Sequence, residues 1–244
     1  MLIRAALIVA GGYGKRMGSS VPKQYLEIGG IPILARTIFA FESHPLVDRI
    51  VVTVPAGHEE MCETTIVQQF KLTKVAAVTE GGLERQQSVY NGLKKLGDTD
   101  LVAIHDGARP LVSHVTITRT FEVAEATGAC LACSPVQETV KRQDGDHLLT
   151  IPRENLWLAH TPQTFRTHLI MEAHEAARKD GFLGTDDALL VERLGYAVSI
   201  VEDDRNNIKI TTPGDLRLAE CLLLSKVPFP KDNDCRPKQF QDSE

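Results

Sequence analysis

Short runs of apolar residues alternate along this chain with stretches whose apolar positions recur at helical spacing. Residues 3–9 are apolar at nearly every position, the pattern of a strand covered on both faces. Pro32 then opens a stretch with helical period over 32–41. The alternation continues with strands predicted over 49–54, 74–78 and 101–105 and helices over 58–70 and 84–96. A helix over 115–126 and a strand over 129–134 follow. Residues 136–152 differ in character: two short runs flank a turn at Asp144-Gly145-Asp146, which predicts a hairpin standing off the main sheet. Helices are predicted over 169–179, 187–194 and 213–224, and strands over 197–201 and 208–210.

Strand-helix alternation through the first ~130 residues implies an α/β protein with a doubly wound, mostly parallel sheet. Residues 1–227 read as one domain with the 136–153 arm inserted. Residues 228–244, with three prolines and many charges, read as a disordered tail. In a doubly wound sheet ligands bind at the carboxyl ends of the strands, beside the point where strand order reverses. The loops that follow strands therefore carry the functional information.

Composition narrows the classes. The 244 residues are 43% hydrophobic and 24% charged, the balance of a globular chain. With 27 Lys and Arg against 32 Asp and Glu, the net charge of −5 argues against a general nucleic-acid binder. No apolar run approaches the ~20 residues that span a bilayer. The five cysteines are too few and too scattered for a disulfide framework, so a cytoplasmic protein is expected. Cys130 and Cys133 have redox-motif spacing, but the small apolar run around them reads as a buried strand.

The first strand runs into Ala10-Gly11-Gly12-Tyr13-Gly14-Lys15-Arg16-Met17. Glycines let backbone N–H groups approach a phosphate, and Lys15 and Arg16 add charge. A P-loop would need Ser or Thr where Arg16 stands. A dinucleotide fingerprint would need Gly at Met17 and an acidic residue in 31–36, and neither is present. His105 and His160 read as strand-end core histidines, and Trp157 as packing.

Pro22-Lys23-Gln24 follows the glycine loop, and the combination resembles the loop of nucleotidyltransferases that couple a sugar or polyol phosphate to a nucleotide. Further loops agree in order: Gly81-Gly82 through Ser88, His105 through Pro110, Glu138-Thr139, 156–165, Gly184-Thr185-Asp186-Asp187, and Asn206-Asn207-Ile208-Lys209. From about residue 3 to 224 the chain is similar to the 2-C-methyl-D-erythritol 4-phosphate cytidylyltransferases of non-mevalonate isoprenoid synthesis. A sister activity, ribitol-5-phosphate cytidylyltransferase, shares the core.

The resemblance implies roles. Ala10, Gly11, Gly12 and Gly14 would wrap the CTP triphosphate, with Arg16 and Lys23 stabilising charge on the α-phosphate. Gly82 and Ser88 would face the nucleoside. Asp106 and Gly107 would lie at the nucleotide, with Asp106 and Arg109 also reaching the acceptor. Thr139, Arg153, Thr161, Thr185 and Lys209 match the acceptor-binding set, Arg153 and Lys209 holding the attacking phosphate in line. Mg²⁺ is expected on the triphosphate, without dedicated protein ligands. The resemblance also implies a homodimer joined through the arm. Leu83 and Asn206 replace acidic residues found in some members, so no side-chain contact is assigned to Leu83, and a carboxylate near the metal is lost at Asn206.

The residue types suit that chemistry. The attacking phosphate is already anionic, so catalysis needs positioning and positive charge at the phosphorus more than a strong base.

Overall fold

A computed structural model describes residues 2–12 and 22–225. Its centre is a seven-stranded sheet in the order β11-β7-β10-β6-β1-β4-β5. The strands are β1 (Arg4–Val9), β4 (Arg49–Val54), β5 (Val75–Glu80), β6 (Leu101–Asp106), β7 (Ala129–Pro135), β10 (Trp157–Arg166) and β11 (Ser199–Glu202). All run in one direction except β10, which pairs antiparallel with both β6 and β7. A small ladder joins β2 (Glu27–Ile28) to β3 (Ile31–Pro32).

The unbroken apolar runs of the strands are explained by two cores, one on each face. Ala6 and Ile8 of β1 pack with Leu34, Ile38 and Phe41 of α1 (Ile33–Glu42) and with Phe121 of α4 (His114–Thr127). Ala5 and Leu7 face the other way, onto Val89 and Leu93 of α3 (Arg85–Leu93) and onto Leu169 and Ile170 of α5 (Thr167–Lys179). Successive side chains of a strand point to opposite faces, so a strand between two helical layers must be apolar at both parities. Local chemistry fixes the helix ends. Ser113 caps α4 by accepting the Thr116 N–H, and Gly128 closes it with φ 92°. Asp186 caps α6 (Asp187–Arg193) through the Leu189 N–H. The last described helix is α7 (Pro213–Ser225).

Two expectations change, and one strand is new. The helix over 58–70 is α-helical only as α2 (Glu59–Cys62) and then widens to a π-wound segment over Glu63–Gln68. The Thr64 and Thr65 hydroxyls donate to the Glu60 and Met61 carbonyls there, competing with the regular ladder. Residues 208–210 form no strand; the Ile210 N–H donates to the Ala108 carbonyl and the Ile210 carbonyl accepts from Lys23 Nζ, and neither bond belongs to a ladder. β10 was unforeseen as a strand. It is polar over much of its length and contains Pro162, which sits where the pairing with β7 shifts between Ala159 and Gln163.

The expected hairpin is present. β8 (Val140–Asp144) and β9 (His147–Ile151) form their own two-stranded sheet about a turn with Gly145 at φ 59°. The hairpin is almost wholly exposed, including Leu148 and Leu149, and Trp157 and Leu158 at its exit are exposed too. Among the described residues no helix is long and apolar enough to cross a membrane. The 228–244 tail lies outside the described residues.

Candidate active site

β1 pairs with β4 on one side and β6 on the other, so strand order reverses at β1. The carboxyl ends of β1 and β6 open onto a cleft lined by Ala10, Gly11, Gly12, Lys23, Gly82, Ser88, Asp106, Gly107 and Lys209. Eight of the expected nucleotide-binding residues thus meet at one place; Gly14 and Arg16 lie outside the described residues. A second cleft adjoins the first and is lined by Arg109, His160, Thr161, Thr185 and Asp186. Arg85, Asp106 and Lys209 line both and form the wall between them.

Close backbone approach explains two glycines, Gly81 beside the first cleft and Gly107 in its lining. A Cβ on Gly81 would lie 2.8 Å from Ser88 Oγ, 3.1 Å from the Val54 carbonyl and 3.3 Å from Gly11 Cα. A Cβ on Gly107 would lie 2.9 Å from the Ala10 Cβ. Ser88 is buried, accepts the Gly82 N–H at 2.9 Å and donates to the Glu84 carbonyl. It therefore shapes the Gly81-Gly82 turn. Leu83 beside it is 97% exposed and lines the first cleft, where no side-chain contact was assigned to it.

Lys23 begins a short 3₁₀ turn, Lys23–Tyr25, entered through Pro22. Its Nζ donates to the Ile210 carbonyl at 3.3 Å, and the buried Gln24 donates through Nε2 to the Ala10 carbonyl. These bonds tie the Lys23 turn to the end of β1 and to the Lys209 loop.

The dividing wall is an ion cluster. Asp106 Oδ1 accepts from Arg85 Nε at 3.2 Å, while Oδ2 lies 2.8 Å from Lys209 Nζ and 3.5 Å from Arg109 Nε. Burial alone would raise the pKa of this carboxyl. The charges of Arg85, Lys209 and Arg109 more than offset that and hold it well below the usual carboxylate range. Arg85 also donates at 2.7 Å to the fully buried Asp187, which His174 Nε2 approaches at 3.2 Å. Burial disfavours the Arg85 charge, but Asp187 and Asp106 raise its pKa overall.

A chain of neutral hydrogen bonds holds the turn after β6. The Asp106 N–H donates to Thr161 Oγ1, which lies 3.0 Å from His105 Nδ1, while His105 Nε2 lies 3.0 Å from the Arg109 carbonyl. That carbonyl can only accept, so Nε2 carries the proton and Nδ1 accepts from Thr161. Burial lowers the His105 pKa to about 4, so the ring is a neutral core histidine, as expected from sequence. Arg109, also buried, donates to the Asn207 carbonyl at 2.6 Å.

The loop after β11 is anchored by Asp203 and Asn207. Asn207 Nδ2 donates to the Thr161 carbonyl at 2.8 Å and to Asp203 at 2.7 Å, which places Lys209 two residues on, against Asp106. Asn206, in contrast, turns its amide to Asp204.

Two expected acceptor residues lie elsewhere. Thr139 and Arg153 are exposed at the base of the arm and line neither cleft, and Arg153 donates to the Gln137 carbonyl. Conversely, sequence reasoning assigned nothing to Arg85, Gln24, Asp187, Asp203 or Asn207. Arg85, Gln24, Asp187 and Asn207 lie inside the very loops singled out, whereas Asp203 lies outside them and signals itself only through its partners.

Comparison with known proteins bears on these clefts. Residues 4–225 match the family model described as 2-C-methyl-D-erythritol 4-phosphate cytidylyltransferase. A curated relative with that name from Geobacter metallireducens is 49% identical over 91% of this chain and 98% of its own length. One from Geobacillus kaustophilus is 47% identical over 91% and 97%. The crystal structure of the Thermus thermophilus 2-C-methyl-D-erythritol 4-phosphate cytidylyltransferase superposes with a TM-score of 0.75 at 36% identity, covering 89% of this chain and 98% of that one. The 4-diphosphocytidyl-2C-methyl-D-erythritol synthase of Anaerococcus prevotii does so with a TM-score of 0.81 at 28% identity, covering 91% and 96%.

Proposed function

Since this chain belongs to the 2-C-methyl-D-erythritol 4-phosphate cytidylyltransferases, we propose that its two adjoining clefts divide the reaction between them, CTP in the first and the acceptor in the second. The enzyme transfers a cytidylyl group from CTP to 2-C-methyl-D-erythritol 4-phosphate, a step of isoprenoid precursor synthesis. The family favours this acceptor over ribitol 5-phosphate.

In this reading a phosphate oxygen of the acceptor attacks the α-phosphorus of CTP. A new P–O bond forms, the α–β bridge breaks, and pyrophosphate departs. The single observation that supports the division is the wall of Arg85, Asp106 and Lys209, which both clefts share. Lys209 stands where the two substrates would meet, with its charge oriented by Asp106 at 2.8 Å. Lys23 enters from the opposite loop. Two fixed cations at the reacting phosphorus would stabilise the transition state more than the ground state, because charge builds there as the bridge breaks. Arg16, by its place in the glycine loop, is assigned to the same charge. Thr161 is assigned to the acceptor side through its hold on the Asp106 backbone, and Thr185 through the cleft it lines.

We further assign Mg²⁺ to the triphosphate itself, where it would neutralise the departing pyrophosphate. The donor set fits that placement: of the two carboxylates lining the first cleft, Asp106 is already engaged by three cations and Glu84 is exposed. Among the described residues no cluster of three His, Cys, Asp or Glu forms a cage. Mg²⁺ typically binds through substrate phosphates with one or two carboxylates at most.

Thr139 and Arg153 would serve the acceptor of a partner subunit. The arm that carries them exposes Leu148 and Leu149, an apolar surface suited to packing on a second copy. We assign the enzyme to the cytoplasm, in keeping with the free thiols of Cys62, Cys130, Cys133 and Cys221.

The test is pyrophosphate release with a panel of polyol phosphates and all four nucleoside triphosphates. CTP with 2-C-methyl-D-erythritol 4-phosphate is expected to lead by at least tenfold in kcat/KM. Comparable turnover of UTP would remove the cytidylyl assignment.

A further inference from the structure

His160 lines the second cleft and pairs with the loop anchor Asp203, and no role above uses its ring. Asp203 follows β11, and its carboxylate is fully buried. Four donors converge on it from three parts of the fold: Thr116 Oγ1 of α4 at 2.7 Å, the Asp204 N–H at 2.9 Å, Asn207 Nδ2 at 2.7 Å, and His160 Nδ1 of β10 at 3.0 Å. Burial alone would raise the Asp203 pKa. The bonds from His160, Asn207 and Thr116 bring it below the ordinary carboxylate value. An ionised carboxylate only accepts, so His160 must carry its proton on Nδ1. In the neutral ring Nε2 is then an acceptor.

The surroundings of Nε2 set His160 apart from His105. In His105 both ring nitrogens are satisfied within the core at 3.0 Å. His160 lines the second cleft, keeps 11% of its side chain exposed, and among the described residues has only Ser134 Oγ near Nε2, at 3.4 Å. That distance is beyond the usual range for a firm hydrogen bond. A buried carboxylate, Asp187, also faces His174, but His174 is wholly buried and lines neither cleft, so it is the opening of His160 onto the second cleft that sets it apart.

We propose that His160, oriented by Asp203, is a specificity residue for the acceptor, its Nε2 accepting a hydrogen bond from a hydroxyl of the polyol. The inference rests on the reading of the second cleft as the acceptor side. Arg109 and Lys209 supply charge for the acceptor phosphate in that cleft, whereas a neutral acceptor nitrogen suits the uncharged, donor-rich part of the same molecule. Asp203 is a positioning residue: it fixes which ring nitrogen is bare.

The experiment measures KM for CTP and for 2-C-methyl-D-erythritol 4-phosphate separately, in wild type, His160→Leu, His160→Gln and Asp203→Asn. It includes acceptor analogues that each lack one hydroxyl. His160→Leu is expected to raise the acceptor KM about fivefold to tenfold and to leave the CTP KM within twofold. His160→Gln, whose amide oxygen can accept, should recover most of the loss. One deoxy analogue should be poor for wild type yet equal to the parent acceptor for His160→Leu, since the bond is missing either way. Should His160→Leu fail to fold, Asp203→Asn and the wild-type analogue series decide. Equal use of every deoxy analogue by wild type, or an Asp203→Asn acceptor KM within twofold of wild type, would overturn the inference. So would a His160→Leu enzyme whose two KM values rise together or not at all. A wild type that releases no pyrophosphate with this acceptor would instead overturn the reading of the cleft itself.

Discussion

Lys209 Nζ lies 2.8 Å from Asp106 Oδ2, and this ion pair stands in the wall between the two clefts. Asp106 also engages Arg85 and sits 3.5 Å from Arg109, so a single carboxylate sets the position of three cations. Asp106→Asn keeps the shape and removes the charge that orients them. The expected result is a fall in kcat/KM of about 10²-fold, with a lower melting temperature because buried guanidinium charge loses its partner. Near-normal turnover, followed by pyrophosphate release, would mean that the wall does not position the reacting groups.

Lys23→Ala removes a cation that the fold brings to the first cleft from a separate loop. A drop in kcat of about 10²-fold is expected, while circular dichroism stays unchanged. The fold should survive because Lys23 lies on a short surface turn whose buried anchor is Gln24. A KM effect on CTP without loss of kcat would reduce Lys23 to ground-state binding.

His105 should leave a mark on stability below neutral pH. Its pKa is about 4 in the folded chain against an ordinary 6.5. Between those values the unfolded chain binds a proton that the folded chain refuses, so stability falls as the pH drops through that window. The loss sums to roughly 3 kcal/mol at most. Burial also lowers the pKa of His44, which adds slope of the same sign. Urea denaturation at pH 7, 5.5 and 4.5 should show the decline, and a shallower one in His105→Gln. Parallel slopes for the two proteins would contradict a buried neutral His105.

Mixing subunits tests the shared site. A Lys23→Ala enzyme and a Thr139→Val enzyme should each be nearly inactive. If Thr139 acts across the dimer, random exchange makes half the dimers mixed, each with one intact site, and restores about a quarter of wild-type activity. No recovery after verified exchange would place Thr139 in its own subunit's site or in none.

The sequence made the parallel half of the fold legible because buried strands there are apolar on both faces, as in the Arg4–Val9 run. It hid β10 because that strand spends its side chains on the site: His160, Thr161 and Gln163 line the second cleft, and none adds an apolar period. The glycine positions were readable since close approach at Gly81 and Gly107 admits no side chain. Arg85 was not, although it lies in a quoted loop, because its importance comes from Asp106 and Asp187, 21 and 102 residues away. Asp203 was hidden for the same reason, and Asn207, though it lies in the Asn206–Lys209 loop, was given no role there: their partners lie on α4 and β10, far off along the chain.

The order of the clefts along the chain has a consequence for how such an enzyme can change. The first cleft is built from residues before position 110, apart from Lys209, whereas the second draws most of its own lining from residues after 158. The divide falls near α4, which contributes to neither. A single genetic crossover within that helix would therefore hand most of a new acceptor cleft to a nucleotide cleft that, among the described residues, changes at Lys209 alone. Lineages sharing this scaffold could vary what receives the nucleotide while inheriting how the nucleotide is held.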